Sequence, residues 1–193
     1  MTGETKSPKL RLFFVTGNRS KFLEAASVLE LAGVRLVQED IELDESGLDD
    51  QAAVVVAKAK HAYEKLKQPV MVDDTGMYFH AFDNFPGAYT KRLLKHVGYD
   101  GVMRLLDGKD RKAHFRCLVC FNDGSKCQVF SGELHGEITK TVSGKINSDW
   151  EYDSIFIPEG LSVPLSELTI EERAKFSHRK KAVMKLLEHL KNS

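Results

Sequence analysis

Two aspartates side by side, Asp73-Asp74, follow the apolar run Val70-Met71-Val72 and lead into Thr75-Gly76. Adjacent carboxylates repel, an arrangement that is tolerated where a divalent cation is shared or where both groups face water. Ligands of α/β sheets gather at the carboxyl ends of strands, so the position favours metal chemistry modestly over a solvated turn. An acidic stretch with Glu42, Asp44 and Glu45 offers a third carboxylate, although alone it reads as a solvated loop.

Three further segments suit anions. Thr16-Gly17-Asn18-Arg19-Ser20-Lys21 lies where a strand gives way to a helix, so unsatisfied N–H groups and the helix dipole stabilise negative charge there, and Lys21 adds a full charge. It is neither a Walker A loop nor a dinucleotide fingerprint, and alone it reads as a capped βα turn. Phe85-Pro86-Gly87-Ala88-Tyr89-Thr90-Lys91-Arg92 delivers two cations to a helix start, and Ser177-His178-Arg179, with Lys180 and Lys181, opens the last helix. Each alone is a surface helix start; together they strengthen one another.

The elements that must position these residues follow from periodicity. Leu10 to Val15 is a strand, and the helix after the first polar turn runs to about Ala32, with Phe22, Ala25, Ala26 and Leu29 on one face and Gly33 as the stop. Asp50 to Leu66 is a helix whose stripe is Ala52, Val55, Val56, Ala59, Ala62, Tyr63 and Leu66, with Lys58 off it. Val70 to Val72 is a short buried strand. His114 to Phe121 and Gln128 to His135 form a hairpin about Asn122-Asp123-Gly124, Ser154 to Ile157 is another strand, and a final helix carries Phe176, Val183, Leu186, Leu187 and Leu190 on one face. Intermingled strands and helices with a hairpin make the class α/β with a mixed sheet.

The 193 residues predict a single domain over 10–193, with 1–9 as a flexible tail. Hydrophobic residues at 42% and charged residues at 29% exclude wholesale disorder, and a formal charge of +0 argues against holding nucleic acid by bulk electrostatics. Three cysteines point to a reducing compartment, no apolar run reaches the roughly 18 to 20 residues that span a bilayer, and the polar start carries no secretory signal, so the expected location is cytoplasmic. Cys117, Cys120 and Cys127 with His114 suggest zinc on paper, but positions 117 and 120 of one strand point to opposite faces. His61, His80, His96, His135 and His189 show no metal-ligand spacing and read as surface or edge residues.

In order along the chain, TGNRSK, DDTG, FPGAYTKR, DWEYDSIF before PEG, and SHR together resemble the inosine triphosphate pyrophosphatase family, from about Leu10 to Leu190. The resemblance implies an elongated central mixed sheet flanked by helices, two lobes with a cleft between them, and a homodimer. It also implies hydrolysis of inosine, deoxyinosine and xanthosine triphosphates to the monophosphate and pyrophosphate, with Mg²⁺ as cofactor and Mn²⁺ as a substitute. Carried over by position, Thr16, Gly17, Asn18, Arg19, Ser20 and Lys21 hold phosphates, with Lys58, Thr75 and Lys91. Glu45, Asp73 and Asp74 bind metal, and Asp74 is the proton acceptor. Trp150, Glu151, Tyr152, Asp153, Arg173, His178 and Arg179 fall where the nucleotide is bound. Glu151 stands where the family usually has glycine, and Arg173 where it has lysine. The alternatives are a shifted base preference or a nucleotide-binding protein without turnover.

Overall fold

The computed structural model describes residues 10–43, 50–83, 85–143 and 151–192. Strand β1 (Leu10–Val15) is buried from Leu12 onward, and helix α1 (Arg19–Leu29) begins where the Asn18 side chain accepts from the Lys21 N–H at 3.0 Å. A short 3₁₀ turn, Glu30–Ala32, extends it to Gly33, whose φ of 83° is the left-handed stop. Strand β2 (Val34–Glu39) follows, an element the periodicity reading leaves unassigned. Helix α2 (Gln51–Leu66) is capped by Asp50. Its buried face is Gln51, Val54, Val55, Ala59 and Ala62, so the stripe is rotated from the expected one and Ala52 is exposed.

The largest difference from the sequence reading is β3 (Val70–Phe79). Where the sequence predicts a three-residue strand ending at a carboxylate turn, the strand runs for 10 residues through Asp73-Asp74-Thr75-Gly76. The reason is non-local: β5 (Lys112–Asn122) pairs antiparallel with every position from Val70↔Asn122 to Phe79↔Ala113, and this ladder overrides the local turn signal. On its other edge β3 meets β1 at Phe13↔Val70 and Phe14↔Met71, then β4 (Phe85–Gly87) at Met77↔Gly87 to Phe79↔Phe85. Between those contacts, Val72 to Gly76 is paired on the β5 side only, and that open edge sits beside the end of β1. Gly76 is required by this crossing of strands, since a Cβ there would lie 2.7 Å from the Gly87 carbonyl oxygen.

Helix α3 (Thr90–Leu105) is broken by a non-helical Gly98. The hairpin of β5 and β6 (Cys127–Ile138) is slightly longer than expected, and β7 (Phe156–Pro158) starts later than Ser154 because Glu151–Ser154 forms a 3₁₀ turn. Helix α4 (Ile170–Ala174) has a capping box of Thr169 and Glu172. Helix α5 (His178–Asn192) buries Ala182, Val183 and Leu186, but Phe176 precedes it and packs in a different cluster from its apolar face.

Among the described residues the result is one mixed sheet of 7 strands in the order β2-β1-β3-β5-β6-β7, with β4 beside β3. Side-chain alternation gives it two faces. On one, Met71, Cys117 and Val119 pack under α1 and α5, and beyond them Met77, Phe79, Phe115 and Phe156 make a second core with α3. On the other, Val70, Val72, Leu118 and Cys120 pack under α2. Cys117 and Cys120 thus fall on opposite faces, as strand alternation requires, and burial pushes the Cys117 thiol up to about 12. Among the described residues no helix is long and apolar enough to cross a membrane.

Candidate active site

The open edge of β3 and the boundary between the two cores of one face coincide in a cavity of about 590 Å³. Alternation along β3 sends its two aspartates to opposite sides of the sheet, so the repulsion expected between neighbours is relieved by geometry. Asp73 points toward α1 and α5. Its Oδ2 lies 3.1 Å from Lys21 Nζ and 2.9 Å from Arg179 Nε, and the guanidinium of Arg179 also reaches Glu24 Oε2 at 2.6 Å and Thr75 Oγ1 at 3.3 Å. Asp73 and Arg179 are almost fully buried. Burial alone would raise the Asp73 carboxyl, but Lys21 and Arg179 outweigh it and hold the group well below the usual carboxylate range.

Asp74 points toward α2 and has a different environment. Lys58 Nζ stands 3.9 Å from its Oδ1, also donating to the Asp73 carbonyl at 3.2 Å, and Gln51 Nε2 donates to the Asp74 carbonyl at 3.2 Å. Its Oδ2 is buried and has no hydrogen-bond partner among the described residues. Burial pushes this carboxyl up, against the pull of Lys58. A buried carboxylate oxygen without a donor fits a hard divalent cation or a water proton.

The turn before α1 forms the cationic wall. Thr16, Gly17, Asn18 and Lys21 line the cavity, with Lys58, Thr75, Lys91 and Arg179. A Cβ at Gly17 would lie 2.8 Å from Asp40 Oδ1, the end of an exposed side chain that can swing aside. Arg19 turns away: its Nη1 donates to Gln38 Oε1 at 3.0 Å and its guanidinium lies over the Phe22 ring, because position 19 starts the outward face of α1. Ser20 faces a neighbouring cavity instead.

At the far end, His178 opens α5 and stacks on Phe115, ring centroids 4.9 Å apart and 6° from parallel. Both of its ring nitrogens are buried without a hydrogen-bond partner among the described residues, and burial, reinforced by Arg179 and Arg173, holds it well below its ordinary value and therefore neutral. Asp153 Oδ2 pairs with Arg173 Nε at 2.6 Å, and burial raises the Asp153 carboxyl to about 6 despite that cation. Asp153 and His178 line both the first cavity and a second one of about 610 Å³, which Arg173 and Phe176 also border. Glu151 and Tyr152 line the first, the Tyr152 hydroxyl donating to the Thr90 carbonyl at 3.2 Å. A cationic channel thus leads to an aromatic-backed pocket with neutral ring nitrogens, the layout of a site for a polyanion carrying a heterocycle.

Residues 12–189 match the Ham1 family. The chain belongs to the Ham1 family. It is 34% identical over 186 residues, 95% of this chain and 98% of the other, to a dITP/XTP pyrophosphatase of Methanopyrus kandleri. It is 35% identical over 185 residues, 95% and 99% of the two chains, to the protein of the same name from Thermococcus kodakarensis. The solved structure of a HAM1 protein from Coxiella burnetii shares the fold, with a TM-score of 0.80 at 24% identity over 95% of this chain and 100% of that one.

Within this Ham1 chain most of the residues expected from motifs surround one cavity. Arg19 and Ser20 face elsewhere, Arg173 borders only the second cavity, and Asp74, whose side chain passes to the α2 side of the sheet, does not line the first cavity, although its Oδ1 lies 3.9 Å from Lys58, which does. Glu45 and Trp150 lie outside the described residues. Sequence reasoning misses three members. Glu24 holds Arg179, and the Ser177 hydroxyl donates to it; its signal is a carboxylate three residues after Lys21 on the same helix. Gln51, buried at the start of α2, anchors the Asp74 backbone, and nothing in its local sequence marks it. Phe115 backs His178 but reads in sequence as ordinary core.

Proposed function

We propose that the chain hydrolyses non-standard purine nucleoside triphosphates, dITP, ITP and XTP, to the monophosphate and pyrophosphate. The reading rests on the printed activity of its relatives and on one feature of the site, the buried and unpartnered Oδ2 of Asp74, whose other carboxylate oxygen lies 3.9 Å from Lys58 in the wall of the cationic cavity. Asp74 and Glu45 would hold Mg²⁺, with Mn²⁺ as a substitute; Asp73, saturated by Lys21 and Arg179, acts instead as the counter-charge that seats both cations. When bound, the metal neutralises triphosphate charge and polarises a phosphoryl oxygen.

The chain's own residues do the rest. Lys21, Lys58 and Lys91 face the cavity and take up charge that develops on the departing pyrophosphate. The raised carboxylate of Asp74 takes the proton of the water that attacks the α-phosphorus, since a stronger base accepts it more readily at neutral pH. His178, neutral and unpartnered, presents a ring N–H to the 6-keto oxygen of the base, while Asp153 and Arg173 flank it. An adenine amino group at that position leaves the donor unpaired, a cost of about 1 to 3 kcal/mol. No nucleic acid or membrane partner enters this scheme.

The test is product identity and base ranking. With Mg²⁺, pyrophosphate is released first, and dITP, ITP and XTP exceed ATP in kcat/KM by at least about tenfold, roughly 1.4 kcal/mol. Diphosphate plus orthophosphate as first products, a flat profile, or binding without turnover would overturn the reading.

A further inference from the structure

The second face of the sheet carries a cluster unrelated to any motif. His114 on β5 stands between Tyr78 on β3 and His135 on β6 in the strand register, and His80 follows the end of β3. Alternation therefore puts the His114 and His135 imidazoles on the same side as Asp74, farther along the sheet, and the turn after β3 brings the His80 ring against His114. His80 Nε2 lies 3.0 Å from His114 Nδ1, the rings of His114 and His135 are 5.2 Å apart, and one ring nitrogen of each histidine falls within 4.8 Å of the other two. In sequence His80 and His135 read as surface or edge residues and His114 is weighed only beside the cysteines, because spacings of 34 and 21 positions match no metal motif; the strand pairing brings the three together.

We propose that His80, His114 and His135 form a binding site for a borderline transition-metal dication of the Zn²⁺ kind, held by three imidazole nitrogens with a fourth position open to water or an exogenous ligand. Two nitrogens at about 2.0 to 2.1 Å from a tetrahedral ion stand roughly 3.3 to 3.4 Å apart, so the His80 and His114 pair is within a few tenths of an ångström of ligation. His80 and His135 are exposed and border a cavity of about 350 Å³, which leaves them free to close on an ion and leaves room for the further ligand.

The surroundings prepare these rings for a metal. His114 stacks on Tyr78, centroids 4.9 Å apart and 8° from parallel, and the Arg116 guanidinium covers the Tyr78 ring at 4.4 Å, so the central ligand is fixed. Burial lowers the His114 pKa, against the pull of Glu133, and keeps its lone pair available at neutral pH. Glu133 Oε2 lies 3.2 Å from His135 Nε2, the carboxylate-to-imidazole contact that orients metal-bound histidines and leaves Nδ1 for the ion. Imidazole donors prefer Zn²⁺, Ni²⁺ or Cu²⁺ to Mg²⁺, so the two sites select different ions.

The test is a calorimetric titration of the full chain with ZnCl₂, with and without excess Mg²⁺. Wild type takes up one Zn²⁺ that Mg²⁺ does not displace. The variant carrying His80→Ala and His135→Ala, both exposed and outside the hydrolytic site, binds Zn²⁺ at least about 100-fold more weakly while its Mg²⁺-supported pyrophosphate release is unchanged. His114→Gln, which keeps a planar polar side chain under Tyr78, weakens it likewise. No uptake by wild type, an unchanged isotherm in the histidine variants, displacement by Mg²⁺, or loss of the site in Asp74→Asn alone would overturn the proposal. The readout is metal binding, so it stands or falls separately from the hydrolytic reading.

Discussion

Asp73 and Asp74 are neighbours on one strand, yet the two sides of the sheet treat them oppositely. On the α1 and α5 side the carboxylate is buried among cations that saturate it and its pKa falls; on the α2 side the carboxylate is half-buried, with one lysine at 3.9 Å and an orphaned, buried Oδ2, and its pKa rises. The contrast separates a group that holds the site together from one that is available to a reaction. Burial is common to both; the number of cations within reach decides the sign.

The strongest way to break this contrast is Asp73→Asn. Removing the charge leaves Arg179 and Lys21 less compensated in a buried setting, so the variant should lose about 3 kcal/mol of stability in denaturant unfolding. A depressed carboxyl contributes stability that is present above its unfolded value and lost as the pH falls below it, so wild type should lose this increment in acid and the variant should show no such loss. Unchanged stability would make the Asp73 cluster dispensable.

Asp74→Asn should do the reverse. Its raised carboxyl is charged at a cost in the fold, a penalty present above the folded pKa and relieved below it, so the amide should leave stability equal or higher at neutral pH. Turnover should drop by about two or more orders of magnitude. A variant both inactive and unfolded would erase the distinction between the two aspartates.

The same raised carboxyl sets a pH dependence in wild type. Only ionised Asp74 accepts a proton, so kcat/KM should decline about tenfold per pH unit below its pKa, and this limb should sit above the range of an ordinary aspartate. Lys58→Met removes the cation that opposes the rise and should move the limb to still higher pH, read from the profile in stopped assays.

The smallest effect concerns Arg173, paired with Asp153 near the orphaned nitrogens of His178. Arg173→Ala should weaken 6-keto purine triphosphates more than ATP, narrowing the kcat/KM ratio by up to about tenfold. An equal loss for both would confine Arg173 to packing.

Much of this site is legible in the amino-acid sequence itself. The α1 cap, Lys21 and the His178-Arg179 pair depend on local signals, a capping side chain, a helix start and charge, and they lie around the cavity as the motifs suggest. What is not legible depends on pairing between distant strands. Asp73-Asp74-Thr75-Gly76 carries the composition of a turn, and only the β5 partner reveals that it is extended and that its two acids part company across the sheet. Gln51 goes unmarked and the grouping of the three histidines goes unseen for the same reason, since their partners lie 21 or more positions away.

The full-length ladder between β3 and β5 has a mechanical consequence. The two strands run unbroken from the core beneath α1 and α5 to the core with α3, so the walls of the cavity are joined by continuous backbone rather than by loops. Closure around a nucleotide must therefore bend or twist the strands themselves, and the restoring force rises with displacement as in a leaf spring. Amides of Met71 to Phe79 that face β5 should exchange with solvent only on global unfolding, even though this stretch runs beneath the cavity from one core to the other.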